Sequence, residues 1–344
     1  MVRFKKSALA AIVLLCLGVM SPAWSGQSGF ITDMVGRKVA LEPGVERIIT
    51  TFKPAALCVL SLGLSDRLVG VDSHSKKDPL QLSVFPEIVR LPGVGTKTTG
   101  LNLEEIIHLK PDLVLLYAQK DGIRLADRLV EQGIPALIIL PETFAGLESA
   151  LRLIAWAADQ QGRADRVLKE GERILDLVEK RVGSISGNQR KVVYYASSMG
   201  LFSTTTGSLI QDEIICKAGG ANASHGLTGY FREISPEQFI KWNPDLIAVS
   251  MHGRGQAVRV LSRPEFRQVR AVETGRMYLF PSNLAPWDFP SPLSTLSVLW
   301  LGKRLYPDRF EDVNLEAEID RFHVTLFGKS FTAMGGDLND RLGP

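Results

Sequence analysis

Glu104 and Glu237 are the side chains whose placement most invites a chemical reading. They hold one position in a stretch that occurs twice. The first copy is Asn102-Leu-Glu-Glu-Ile-Ile-His-Leu-Lys-Pro-Asp-Leu, and Ser235-Pro-Glu-Gln-Phe-Ile-Lys-Trp-Asn-Pro-Asp-Leu follows 133 residues later. Without gaps the copies share Glu104/Glu237, Ile107/Ile240, Pro111/Pro244, Asp112/Asp245 and Leu113/Leu246. Asn102 and Ser235 are N-cap types, with Glu105 and Gln238 at the third helical position. Each glutamate therefore sits at the second position of a short helix, where the helix dipole favours an ionised carboxylate. Such a carboxylate can steady its own helix or meet a cation on a partner.

The remaining candidates for chemistry assemble less. The five histidines, His74, His108, His225, His252 and His323, are scattered. His74 and His252 follow apolar strands, where open α/β sheets place their ligands. No partner residues complete a ligand set around them, so no metal site is assigned. His108 and His323 fall inside predicted helices and read as solvated. Gly328-Lys-Ser looks like the end of a phosphate loop, but the earlier glycine would fall at position 323, which is a histidine. Gly93-Val-Gly supplies only the first two glycines of a dinucleotide fingerprint. There is no Gly-x-Ser-x-Gly, His-Glu-x-x-His or Cys-x-x-Cys. Nothing joins a nucleophile, a base and an oxyanion hole, which argues against an enzyme.

The elements that must position these residues alternate. Phe30 to Leu41 reads as a hairpin turning near Gly36. Arg47-Ile-Ile-Thr-Thr, Leu68-Val-Gly-Val-Asp, Leu113-Val-Leu-Leu-Tyr and Ala136-Leu-Ile-Ile-Leu read as strands, with a helix from Pro54 to Leu62. After two helices, Leu147 to Asp159 and Ala164 to Val182, strands resume at Lys191-Val-Val-Tyr-Tyr, Leu246-Ile-Ala-Val-Ser and Met277-Tyr-Leu-Phe. Strands and helices alternating at this spacing imply parallel sheets covered on both faces. The fold class is therefore α/β, with a duplicated α/β unit on two lobes bridged by one long, stiff helix. The boundaries are 26–160 for the first lobe, 161–185 for the helix, 186–327 for the second lobe and 328–344 for a mobile tail.

Residues 1–25 read as an export signal, with Arg3, Lys5 and Lys6, an apolar run from Ala8 to Met20, and Ala23-Trp24-Ser25. Three of the chain's 40 Lys and Arg lie there and no acid does, so the remainder balances its 37 Asp and Glu. A neutral exported chain gives no case for nucleic-acid binding. Its two cysteines, Cys58 and Cys216, fall on separate apolar helices and read as separate thiols.

In order and spacing, several segments resemble the substrate-binding proteins of ABC importers for iron–siderophore complexes, cobalamin and haem. They are Ile31-Thr-Asp-Met-Val-Gly-Arg-Lys-Val, Arg47-Ile-Ile, Leu62-Gly-Leu-Ser-Asp-Arg-Leu-Val-Gly-Val, Gly219-Gly-Ala-Asn and the two repeat units. The resemblance covers about residues 30 to 327. It implies two Rossmann-like lobes, a ligand cleft between them, small closure on binding and a periplasmic or otherwise extracytoplasmic location. The implied partners are a membrane permease with its cytoplasmic ATPase. Glu104 and Glu237 match the glutamates with which the family engages permease arginines. For the ligand, the residues just after the strands are the candidates: Lys53, His74, Tyr117, Gln119, Lys120, Met199, His252, Arg254 and the turn Trp287, Asp288 and Phe289, with Tyr230, Phe231 and Arg232 at the rim. Rings with a few cations suit a large, flat, anionic chelate. A ferric-siderophore-like complex is the expected cargo, with no cofactor of the protein's own. Cobalamin, haem and a molybdate- or tungstate-type oxyanion are the alternatives. A chelatase or nitrogenase-like component and a direct metal-ion receptor are the rivals of another class.

Overall fold

The computed structural model describes residues 29–96, 100–118 and 121–342, so the export signal and the candidates Gln119 and Lys120 lie outside the described residues. Two four-stranded sheets form the frame. In the first lobe β1 (Ile48–Thr50), β2 (Leu68–Val71), β3 (Leu113–Tyr117) and β4 (Ala136–Ile139) pair in the order β2-β1-β3-β4. In the second, β5 (Val192–Ala196), β6 (Ala221–Asn222), β7 (Leu246–Val249) and β8 (Met277–Leu279) pair as β6-β5-β7-β8. Every pairing is parallel. The two lobes thus have one topology, and the repeated sequence unit supplies the third strand of each.

The repeat's shared residues have identifiable duties. A short helix (Leu103–His108 or Pro236–Trp242) must reverse into the strand that follows it. Lys110 and Asn243 make that reversal in the left-handed region, at φ 46° and 43°, and the prolines after them stop the helix. Asp112 then accepts the backbone N–H groups of Glu46 and Arg47, both at 2.9 Å, just before β1. Asp245 accepts that of Val192 at 2.7 Å, at the start of β5. The aspartates register the third strand against the first.

Period-two alternation within the buried strands divides the core. Leu113, Leu115 and Tyr117 face one large cluster, while Ile49, Val114 and Leu116 face a smaller one on the outer side of the sheet. The second lobe repeats this with Val193 and Tyr195 inward and Tyr194, Ile247 and Val249 outward. The large cluster runs from Ile31 to Phe331 through both lobes. Its centre is the linking helix, Gln161–Val182, buried along Val167, Ile174, Val178 and Val182. That helix packs on Phe144–Ala157, Ser294–Leu305 and Leu315–Phe327, so it is a braced member of a shared core rather than a bare strut.

Two expectations are corrected. The stretch after Gly328 is packed through Leu342: Phe331 and Leu342 are buried, and Asp340 accepts the Trp300 indole N–H at 2.7 Å. The tail is held because it supplies the acceptor that this buried indole needs. His323 is fully buried rather than solvated, its Nδ1 2.9 Å from the carbonyl of Ile319. Cys58 is buried and Cys216 half-buried, both as free thiols. Among the described residues no helix is long and apolar enough to cross a membrane.

Candidate functional site

In a parallel sheet every strand ends on the same side, and the loops there converge. Here the C-terminal ends of the two sheets face each other across a cavity of about 920 Å³. From the first lobe come Thr51 to Pro54 after β1, Asp72 to Pro79 after β2, Tyr117 at the end of β3 and Glu142 beyond β4. The second lobe supplies Tyr195 from β5, Met251 and His252 after β7, and the segment Ser282 to Pro290 after β8.

Eight of the expected ligand residues meet there: Lys53, His74, Tyr117, Met199, Tyr230, Phe231, His252 and Phe289. Met199 (64 % exposed) and Tyr230 (48 %) stand at the mouth. Four others do not line it, the buried Asp288 among them. Trp287 is wholly buried against Phe331 and His323, because its segment turns Pro286 and Phe289 to the cavity and the indole to the core. Arg254 opens the helix Arg254–Leu261 at the surface. Arg232 is on an exposed strand, donating to the Thr228 carbonyl at 2.8 Å.

Losing those arginines changes the electrostatics. Lys53 is tied to the buried Asp78 at 2.7 Å, and its ammonium lies 5.8 Å from the centre of the Phe289 ring. Lys53 and Lys77 are opposed on the lining by Asp72, Asp78 and Glu142. Among the described residues the wall is not a cationic one, which weakens the expected preference for an anion. Burial pushes the Asp72 carboxyl up, partly offset by hydrogen bonds from Ser75 and the His74 N–H.

Sequence reasoning missed Asp72, Asp78 and Glu142 of this acidic set, and Phe52 and Tyr195 of the aromatic floor. Tyr195 donates to Asp288 at 2.8 Å; both are buried, and burial raises the carboxyl of Asp288 and the phenol of Tyr195. Tyr117 is hydrogen-bonded to Glu142, and its ring lies 5.1 Å from that of Phe52. Asp72 directly follows β2 and Glu142 lies just beyond β4. The strand-end rule that selected His74 and Tyr117 could have selected them too.

Glu104 and Glu237 are exposed at the second positions of their helices. Asn102 accepts the Glu105 N–H at 3.1 Å and Ser235 that of Gln238 at 3.2 Å. The Glu237 carboxyl is held below its usual range by its own backbone N–H and the Ser235 hydroxyl. Each helix runs back along the strand it feeds. Its N-terminus therefore lies at the strands' C-terminal end, the side of the lobe that carries the cavity.

The periplasmic binding protein family matches residues 48–284. The molybdate-binding protein MolA of Haemophilus influenzae is 24 % identical, over 95 % of this chain and 97 % of its own. The solved structure of MolA with molybdate superposes with a TM-score of 0.77 at 23 % identity, covering 88 % of this chain and 98 % of that one. A vitamin B12-binding protein of Yersinia pestis is 24 % identical over 60 % of this chain and 69 % of its own. The Helicobacter pylori CeuE structure with nickel and histidine gives a TM-score of 0.75 at 19 % identity, covering 89 % and 97 %.

Proposed function

Because the chain belongs to the periplasmic binding protein family, we propose that it is the extracytoplasmic receptor of an ABC importer and carries a bulky metal chelate of the ferric-siderophore type. The observation that carries this reading is the cavity: about 920 Å³, walled by Phe52, Tyr117, Tyr195, Tyr230, Phe231 and Phe289. That volume is near the upper end for small-molecule sites, and rings provide area for a large, largely apolar ligand. The nearly balanced charge suits a complex whose own donors have neutralised its metal. Lys53, Lys77, His74 and His252 supply local polar contacts. The protein performs no chemistry on its cargo.

Glu104 and Glu237 are the docking contacts for the permease, whose ATPase lies on the far side of the membrane. Exposed carboxylates on a fixed frame give orientation and association rate more than affinity. A second reading follows from the Haemophilus relative, which binds molybdate. A bare tetrahedral oxyanion would fill only a small part of this cavity, and among the described residues few free cations face it. Cobalamin, carried by the Yersinia relative, and haem fit the volume better than the charge distinguishes them.

The test is a thermal-shift screen of the mature protein against ferric siderophores, haemin, cobalamin and molybdate. A true ligand at a hundred times its Kd adds about 2.7 kcal/mol of stability. Stabilisation by ferric siderophores is the expected result. Stabilisation by molybdate alone would replace the chelate reading with the oxyanion one.

A further inference from the structure

A second group of metal-ligand types sits on the C-terminal lobe, and none of its members lines the cleft. Asp212 and Cys216 are four residues apart on the helix Ile210–Lys217, so they share one face. His225, from the turn after β6, lies over them. One oxygen, one sulfur and one imidazole nitrogen all fall within 4.8 Å of one another. We propose that Asp212, Cys216 and His225 form a site for a divalent cation of the zinc class, outside the cleft.

The donor set argues for that class. Thiolate, imidazole and carboxylate together match a borderline ion such as zinc, whereas calcium and magnesium take oxygen sets. Distances of roughly 2.0–2.3 Å to each donor require ligand atoms somewhat under 4 Å apart in a tetrahedral site. His225 Nδ1 is already 2.9 Å from Asp212 Oδ1, and Cys216 Sγ is 3.9 Å from Asp212 Oδ2. Small side-chain shifts open the group around an ion. The carboxylate is aimed by a neighbour: Asn222 Nδ2 donates to Asp212 Oδ1 at 2.7 Å, which turns Oδ2 towards both His225 Nδ1, at 3.1 Å, and Cys216 Sγ. His225 has two-thirds of its side chain exposed, so an ion has an entry path and a fourth position open to water. The proposal does not rest on the identity of the cleft ligand.

The experiment uses the mature chain, stripped with a chelator and titrated with Co(II) and then Zn(II). The expected result is one equivalent of Co(II) with a thiolate-to-metal charge-transfer band, displaced by Zn(II). Cys216→Ser should abolish the band, and His225→Ala, at an exposed position, should weaken Zn(II) binding by about tenfold or more. A titration with no charge-transfer band overturns the proposal. So does a band that survives Cys216→Ser, or binding that follows His74→Ala and His252→Ala instead.

Discussion

His323 gives the sharpest test of the packing, because its charge is controlled by pH and its surroundings are almost entirely rings. Phe322, Phe327, Phe331 and Trp287 surround it. Its Nε2 has no hydrogen-bond partner among the described residues. Burial lowers its pKa from 6.5 to about 4. The unfolded chain therefore takes up a proton near neutrality that the folded chain refuses. Its stabilising neutrality is intact above the unfolded pKa, and is lost as pH falls from about 6.5 towards about 4. The full separation is worth on the order of 3 kcal/mol, of which roughly 2–3 kcal/mol is already lost at about pH 4.5. Carboxylates titrate in the same range, so the comparison must be made between variants. His323→Phe removes the titrating group and keeps an aromatic ring. At about pH 7.5 it forfeits the bond to the Ile319 carbonyl but relieves an unpartnered nitrogen, so the net change should stay within about 1 kcal/mol. Urea unfolding at both pH values should find the phenylalanine variant gaining about 2–3 kcal/mol on the parent at the lower one. Parallel stability curves for the two proteins would show that His323 is not buried as a neutral ring, and the described packing of the C-terminal helix would be wrong.

Glu104→Ala and Glu237→Ala should each reduce transport in a reconstituted importer while leaving ligand affinity unchanged; lost affinity with intact transport would reverse their assignment. Asp112→Ala and Asp245→Ala should each destabilise by about 0.5–1.5 kcal/mol in urea melts, the latter more, because the Val192 N–H is half-buried and Asp245 also pairs with Arg270, whereas water can replace Asp112 at the exposed N–H groups of Glu46 and Arg47. Calorimetry with the cleft ligand should find about tenfold or greater weakening in His252→Ala and Tyr230→Ala, against no change in Arg254→Ala, which lies off the cavity. An effect of Arg254→Ala equal to that of Tyr230→Ala would mean that the cleft extends well beyond the lining described.

The architecture was legible because it is written twice. Two copies of a capped helix, a proline–aspartate stop and an apolar strand have one physical solution, and both lobes adopt it. The aspartates needed coordinates to explain, since the N–H groups they hold lie 65 and 53 residues away. In the cleft, strand ends identified His74, Tyr117 and His252, because topology alone puts the residues at and just beyond a strand's end at the ligand side. Trp287 lies on an irregular segment and Arg254 at the first position of a helix, places where one residue's turn decides between cavity, core and solvent. His323 was readable and was misread. Ile319, Phe322, His323 and Leu326 follow the helical core spacing, which places the histidine among buried residues.

How far the lobes can move follows from what crosses between them. The backbone N–H of Leu80 donates to the Leu284 carbonyl at 3.1 Å, from one cleft wall to the other. The Phe144 N–H is held by Glu213 at 2.8 Å, and Lys329 reaches the Ser83 carbonyl at 2.7 Å. Along the linking helix, Arg173 joins Glu170 to Glu318 and Arg181 joins Asp312. A wide hinge opening would break the first three and shear a continuous apolar core, at a cost that rises with every buried side chain uncovered. Ligand entry is therefore the business of the mouth, where Met199 and Tyr230 stand exposed and can change rotamer without disturbing either sheet.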